Sequence, residues 1–136
     1  MGRVLALDPG SVRVGVAVSD PLRIIAQPHS SLEARDPGIL ESIAALVTSL
    51  DVERIVVGLP LSLDGTEGPS AVQARRFAAD VAAATNLEVE LADERFSSVT
   101  AERSMIEAGA RRSERKGARD RVAAAIFLQT YLDGVR

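Results

Sequence analysis

The spacing of apolar residues along this chain switches between a period of two and a helical period. That alternation limits the fold to one built from strands and helices together. Val12, Val14, Val16 and Val18 alternate with Arg13, Gly15, Ala17 and Ser19, which predicts a strand with a β-branched face. Before it, Arg3 to Leu7 is a short apolar strand, and Pro9-Gly10 then turns the chain. After it, Asp20-Pro21 breaks the pattern and Leu22 to Gln27 predicts a third strand. These three would form an antiparallel meander.

Helical spacing follows. Ile39, Ile43, Leu46, Val47 and Leu50 fall on one face of an amphipathic helix. Arg54 to Gly58 predicts a buried strand, because Ile55-Val56-Val57 is too brief for a helix. Leu59 to Pro69 reads as a loop rich in Gly and Pro, and Ala74, Phe77, Ala78 and Val81 mark a helix from about Ser70 to Thr85. Leu87, Val89 and Leu91 alternate with Glu88 and Glu90 as a fifth strand. Ser97 or Ser98 can cap a third helix, which runs to about Ala108, where Gly109 ends it. A last helix is expected from about Asp120 to Leu132, with Ala123-Ala124-Ala125 allowing close packing on a sheet. Strands separated by helices require parallel crossovers. The expectation is therefore an α/β fold in which a mixed five-stranded sheet, meander plus parallel strands, carries helices on both faces.

A chain of 136 residues, 46% apolar and 26% charged, suits one globular domain spanning 1–136. The absence of cysteine excludes disulfides, thiolate catalysis and cysteine-bound zinc. No apolar run is long enough for a membrane span and no signal-peptide layout opens the chain, so a cytoplasmic protein without membrane contact is expected. Arg111, Arg112, Arg115, Lys116, Arg119 and Arg121 stand against Glu114 and Asp120. That leaves +4 in this stretch, so the rest of a chain of net charge −3 carries −7. The stretch reads either as a phosphate-holding segment or as a solvated arginine-rich loop.

Three acids sit at element ends. Asp8 closes the first strand, Glu94 follows the fifth in Ala92-Asp93-Glu94-Arg95, and Asp120 opens the last helix. Convergence would make a site for Mg²⁺ or Mn²⁺, hard cations that keep room for water and phosphate oxygens. Each acid alone has an ordinary explanation. Asp8 could bond turn amides, Asp93-Glu94-Arg95 could be a surface turn, and Asp120 could cap a helix. The functional case rests on the set of three, with Asp93 as the alternative to Glu94. His29 lacks a second histidine, Ser97 and Ser98 lack an evident base, and the glycine loops match no Walker-type motif.

Taken in order, several motifs resemble the YqgF family. They are Leu7-Asp8-Pro9-Gly10, Val14-Gly15-Val16-Ala17-Val18-Ser19-Asp20, Ile55-Val56-Val57-Gly58-Leu59-Pro60-Leu61, Asp64-Gly65-Thr66-Glu67-Gly68, Asp93-Glu94-Arg95-Phe96-Ser97-Ser98 and Asp120-Arg121-Val122-Ala123-Ala124. The resemblance covers essentially the whole chain. It implies a ribonuclease-H-like fold in a bacterial cytoplasmic nuclease that is Holliday-junction-resolvase-like and processes the 5′ end of pre-16S ribosomal RNA. It places the family's catalytic and metal-binding acids on Asp8, Glu94 and Asp120. Arg95 and Ser98 of the same motifs, with Arg111, Arg112, Arg115 and Lys116, are the expected nucleic-acid contacts. Two other readings stay within this frame: a resolvase of branched DNA, and a non-catalytic RNA-binding assembly factor. A resolvase needs two symmetric sites, so a stable dimer would favour the branched-DNA reading; the expectation is a monomer or weak homodimer. Nucleotide binding, as in two-domain proteins that share the fold, would need a second such domain.

Overall fold

The computed structural model describes residues 2–62, 64–93 and 112–134, with side chains in the last helix from Asp120 onward. In chain order the elements are β1 (Arg3–Pro9), β2 (Arg13–Ser19), β3 (Ala26–Glu33), α1 (Ile39–Ser49), β4 (Val52–Leu59), α2 (Pro69–Thr85), β5 (Val89–Asp93) and α3 (Arg112–Gly134). The helix expected between Ser97 or Ser98 and Ala108 lies outside the described residues.

The five strands form one sheet in the order β3-β2-β1-β4-β5. β2 pairs antiparallel with both β1 and β3, while β4 pairs parallel with β1 and β5. The sheet is therefore mixed, with the meander on one side and the parallel strands on the other. β1 is central, so its alternation serves both faces. Leu5 and Leu7 pack with Val14, Val16, Ile43, Ile55, Val57 and Val81 under α1 and α2. Val4 and Ala6 pack with Ala17, Val56, Ala124, Phe127, Leu128 and Leu132 under α3. Asn86 caps α2 in the left-handed conformation (φ 59°), which asparagine tolerates better than most residues.

Most strand ends differ by a residue or two from the sequence expectation, and β3 and α3 differ by more. β3 runs Ala26–Glu33, not Leu22 to Gln27, so the expected strand shares only Ala26 and Gln27 with it. The Asp20 carboxylate accepts hydrogen bonds from the amides of Leu22, Ile24 and Ile25 at 3.3, 2.7 and 2.8 Å and curls that segment into a turn. These bonds, led by the one from Ile25, hold the Asp20 carboxyl below the usual carboxylate range. Pro28 sits in β3 near a register irregularity, where an edge strand accommodates it. His29, also on β3, is exposed.

The larger correction concerns α3. It begins at Arg112, so Asp120 stands inside the helix, more than two turns from its start, and does not open it. The basic stretch from Arg112 onward is helix and not a loop. Arg, Glu and Lys are strong helix formers, and the apolar face downstream anchors the element. Gly117 is carried within it at a cost of about 1 kcal/mol.

Candidate active site

Alternation along β1 puts Val4, Ala6 and Asp8 on the face covered by α3. Asp8 is half-buried, near the carboxyl end of the strand. Its register partner on β2 is Gly15. Opposite residues of an antiparallel pair share a face, so Gly15 also faces α3. A Cβ placed on Gly15 would collide with the carbonyl oxygen of Asp120. The missing side chain thus lets the backbone of α3 touch β2 beside Asp8. The structure brings Asp8 and Asp120 to the same corner of the same face, at the carboxyl edge of β1.

Arg13 completes this corner. Two residues before Gly15, it shares that face and is the diagonal neighbour of Asp8, within reach of a long side chain. Its Nε donates to Asp120 Oδ2 at 2.8 Å. Both side chains are partly shielded, 30% exposed for Arg13 and 27% for Asp120. Sequence reasoning passed over Arg13 as the polar half of a strand alternation. The signal was present: Arg13 occupies the face that Gly15 and Ala17 continue, a face too small and apolar to be solvated.

Glu94, Arg95, Ser98 and Arg111 lie outside the described residues, as do the side chains of Arg112, Arg115 and Lys116. β5 ends at Asp93, which pairs with Leu59 and is exposed. β4 separates β5 from β1, so β5 runs two strand spacings, roughly 10 Å, from Asp8. The phase of β5 is set by Glu90, whose carboxylate accepts a hydrogen bond from Tyr131 of α3 and pairs with Arg54 at 3.3 Å. Glu90 and Ala92 therefore share the α3 side of the sheet with Asp8. Among the described residues no three acids or histidines gather as a metal-holding group. What those residues do bring together is Asp8 and Asp120, on either side of Gly15, with the Arg13 guanidinium bonded to Asp120.

At the same edge, on the α1 and α2 side, a cavity of about 420 Å³ is lined by Gly10, Ser11, Arg35, Pro60, Gln73 and Phe77 among others. The loop after β4 is tied to α2. Leu61 bridges Glu67, and Arg75 of α2 binds the Glu67 carboxylate through Nε at 2.8 Å and Nη2 at 2.7 Å. Hydrogen bonding to Arg75 holds the Glu67 carboxyl below its usual range.

A family model described as "RuvX: Holliday junction resolvase" matches residues 2–134. A protein of Syntrophomonas wolfei named "Putative pre-16S rRNA nuclease" is 42% identical over 135 residues, covering 97% of this chain and 94% of that protein. A protein of Chloroflexus aggregans with the same name is 43% identical over 134 residues, covering 98% and 94%. Among solved structures, T. thermophilus RuvC in complex with a Holliday junction substrate superimposes with a TM-score of 0.58 at 16% identity, over 99% of this chain and 96% of that one. At that identity the likeness concerns the fold, which is ribonuclease-H-like.

Proposed function

This chain belongs to the RuvX family and is a nuclease, and from that premise we propose that it cleaves the 5′ end of the precursor of 16S ribosomal RNA, with Asp8, Glu94 and Asp120 around a divalent cation. The observation that carries the proposal is the meeting of Asp8 and Asp120 on one face across Gly15.

The donor set fits Mg²⁺ or Mn²⁺. Asp8 and Asp120 are partly shielded carboxylates, the hard oxygen ligands that these ions take. Glu94, two residues beyond Ala92 in sequence, is the third proposed ligand. When bound, such a cation supplies charge stabilisation at phosphodiester oxygens and a reactive water near neutral pH. The residues of the chain do the rest. β1 is held on both faces by core side chains, which gives Asp8 a fixed position. α3 fixes Asp120, and the basic residues Arg112, Arg115 and Lys116 precede it on the same helix. Phosphates held by these residues, by Arg111 and by Arg95 and Ser98 would be delivered to the carboxylates. Among the described residues no helix is long and apolar enough to cross a membrane. An RNA precursor is a cytoplasmic substrate, and the proposal carries that location.

A second reading, resolution of branched DNA, is favoured by the family description. One experiment separates the two: the purified protein is offered precursor RNA and a four-way DNA junction, with Mg²⁺, with Mn²⁺ and in a chelator. Metal-dependent trimming of the RNA is expected. Preference for the junction would move the protein to the second reading. Full activity in the chelator would reject the metal mechanism, and tight RNA binding without any cleavage would indicate an assembly factor.

A further inference from the structure

Asp120 is a partly shielded carboxylate whose Oδ2 already has a cation partner, the guanidinium of Arg13 at 2.8 Å. This pair joins residues 107 positions apart and spans β2 and α3 beside Asp8. We infer that Arg13 is a positioning residue and the resident counter-ion of Asp120, which a divalent cation must expel or share the carboxylate with, so that Arg13 sets the cation concentration at which the site fills. The inference rests on the metal-site reading above.

The reasoning is electrostatic. A cation coordinated to Asp120 would lie within a few ångströms of the guanidinium. Like charges that close repel strongly where water is partly excluded. Arginine cannot relieve the conflict by losing its proton. Opposing this, the ion pair fixes the Asp120 rotamer and helps dock α3, and that favours any ligand of the carboxylate. The two contributions have opposite signs on removal of Arg13. The ion pair is still reached by water, so its contribution to docking is small. The repulsion of a divalent ion at short range is the larger effect, so the charge contribution prevails.

Mn²⁺ binding without nucleic acid, followed by electron paramagnetic resonance of the free ion at low ionic strength, reads this directly. Arg13→Gln keeps an amide donor for Asp120 and removes the charge. It should bind Mn²⁺ more tightly, by roughly five- to tenfold for a screened unit charge. Arg13→Lys retains the charge and should stay close to the wild-type midpoint. Asp120→Asn should bind more weakly than wild type. Should Arg13→Gln fail to fold by circular dichroism, Arg13→Met, which keeps the packed stem, carries the same expectation. Unchanged or weaker Mn²⁺ binding by the charge-free variant, with Asp120→Asn still impaired, overturns the role of Arg13 and leaves the metal site standing. Wild-type affinity in Asp120→Asn overturns the site and this inference with it, as does a lack of Mn²⁺ binding by both wild type and the charge-free variant.

Discussion

The main chain of α3 comes close against β2 where Gly15 meets the carbonyl oxygen of Asp120. The register partner of that glycine is Asp8. This close approach brings together two acids that are far apart in sequence. Gly15→Ala should push α3 outward at Asp120, because the obstacle is main chain and not a flexible side chain. A destabilisation of about 1–3 kcal/mol in chemical unfolding is expected from overpacking of this kind. Cleavage should fall as well, even in preparations that remain folded. An alanine variant with wild-type stability and activity would show that the close approach is not needed.

Asp8→Asn keeps the size of the side chain and removes its charge. Cleavage should be abolished while the protein still folds by circular dichroism, since the amide keeps the shape but no longer offers the anionic oxygen that holds the ion. Retained cleavage in this variant would exclude Asp8 as a ligand.

Replacing Arg111, Arg112, Arg115 and Lys116 by glutamine preserves helix propensity at the three positions that lie in α3. Binding to precursor RNA should weaken for all sequences alike, because phosphate contacts carry little base information. The slope of log affinity against log salt should decrease by about 0.7 for each phosphate of a single strand that the variant no longer neutralises. An unchanged slope would identify the stretch as a solvated helix face.

Leu128 is fully buried between α3 and the strands that carry Val4, Ala6 and Val56. Leu128→Ala should cost about 2–5 kcal/mol through reduced burial and a residual cavity. Because the same helix carries Asp120, the activity of the folded fraction should also drop. Denaturant titration and cleavage on the same sample test both parts.

Asp20 supplies a pH-dependent contribution to stability. Its carboxyl is held below the ordinary value of 3.8 by the amides it caps, Ile25 first. The folded state therefore prefers the ionised form. The resulting stability is fully present above the ordinary value and is lost as pH falls through the lower folded value. Thermal midpoints of wild type and Asp20→Asn should differ most near neutral pH and converge below about pH 3.8. A difference that stays constant down to strong acid would contradict this.

Periodicity by itself determined the order of the described elements and the mixed five-stranded sheet. Alternation in residues 12–18 and 87–91, and helical spacing in residues 39–50 and 74–81, are local records of which side of each element is buried. The motifs around Asp8, Glu94 and Asp120 also named the family, since they occur in order over nearly the whole chain. Tertiary structure alone decided two things. The first is where α3 begins. Arg112 to Arg119 has no apolar face to show a period, and the segment is helical because it continues an element anchored by Ala124, Phe127 and Leu128. The second is the partnership of Arg13 with Asp120. Neither residue signals the other in sequence. They meet because β2 pairs with β1 in the register that sets Gly15 against Asp8, and because a glycine there lets the helix backbone come close. Packing distances of that kind depend on both faces of the sheet being filled at once, and no local pattern encodes them.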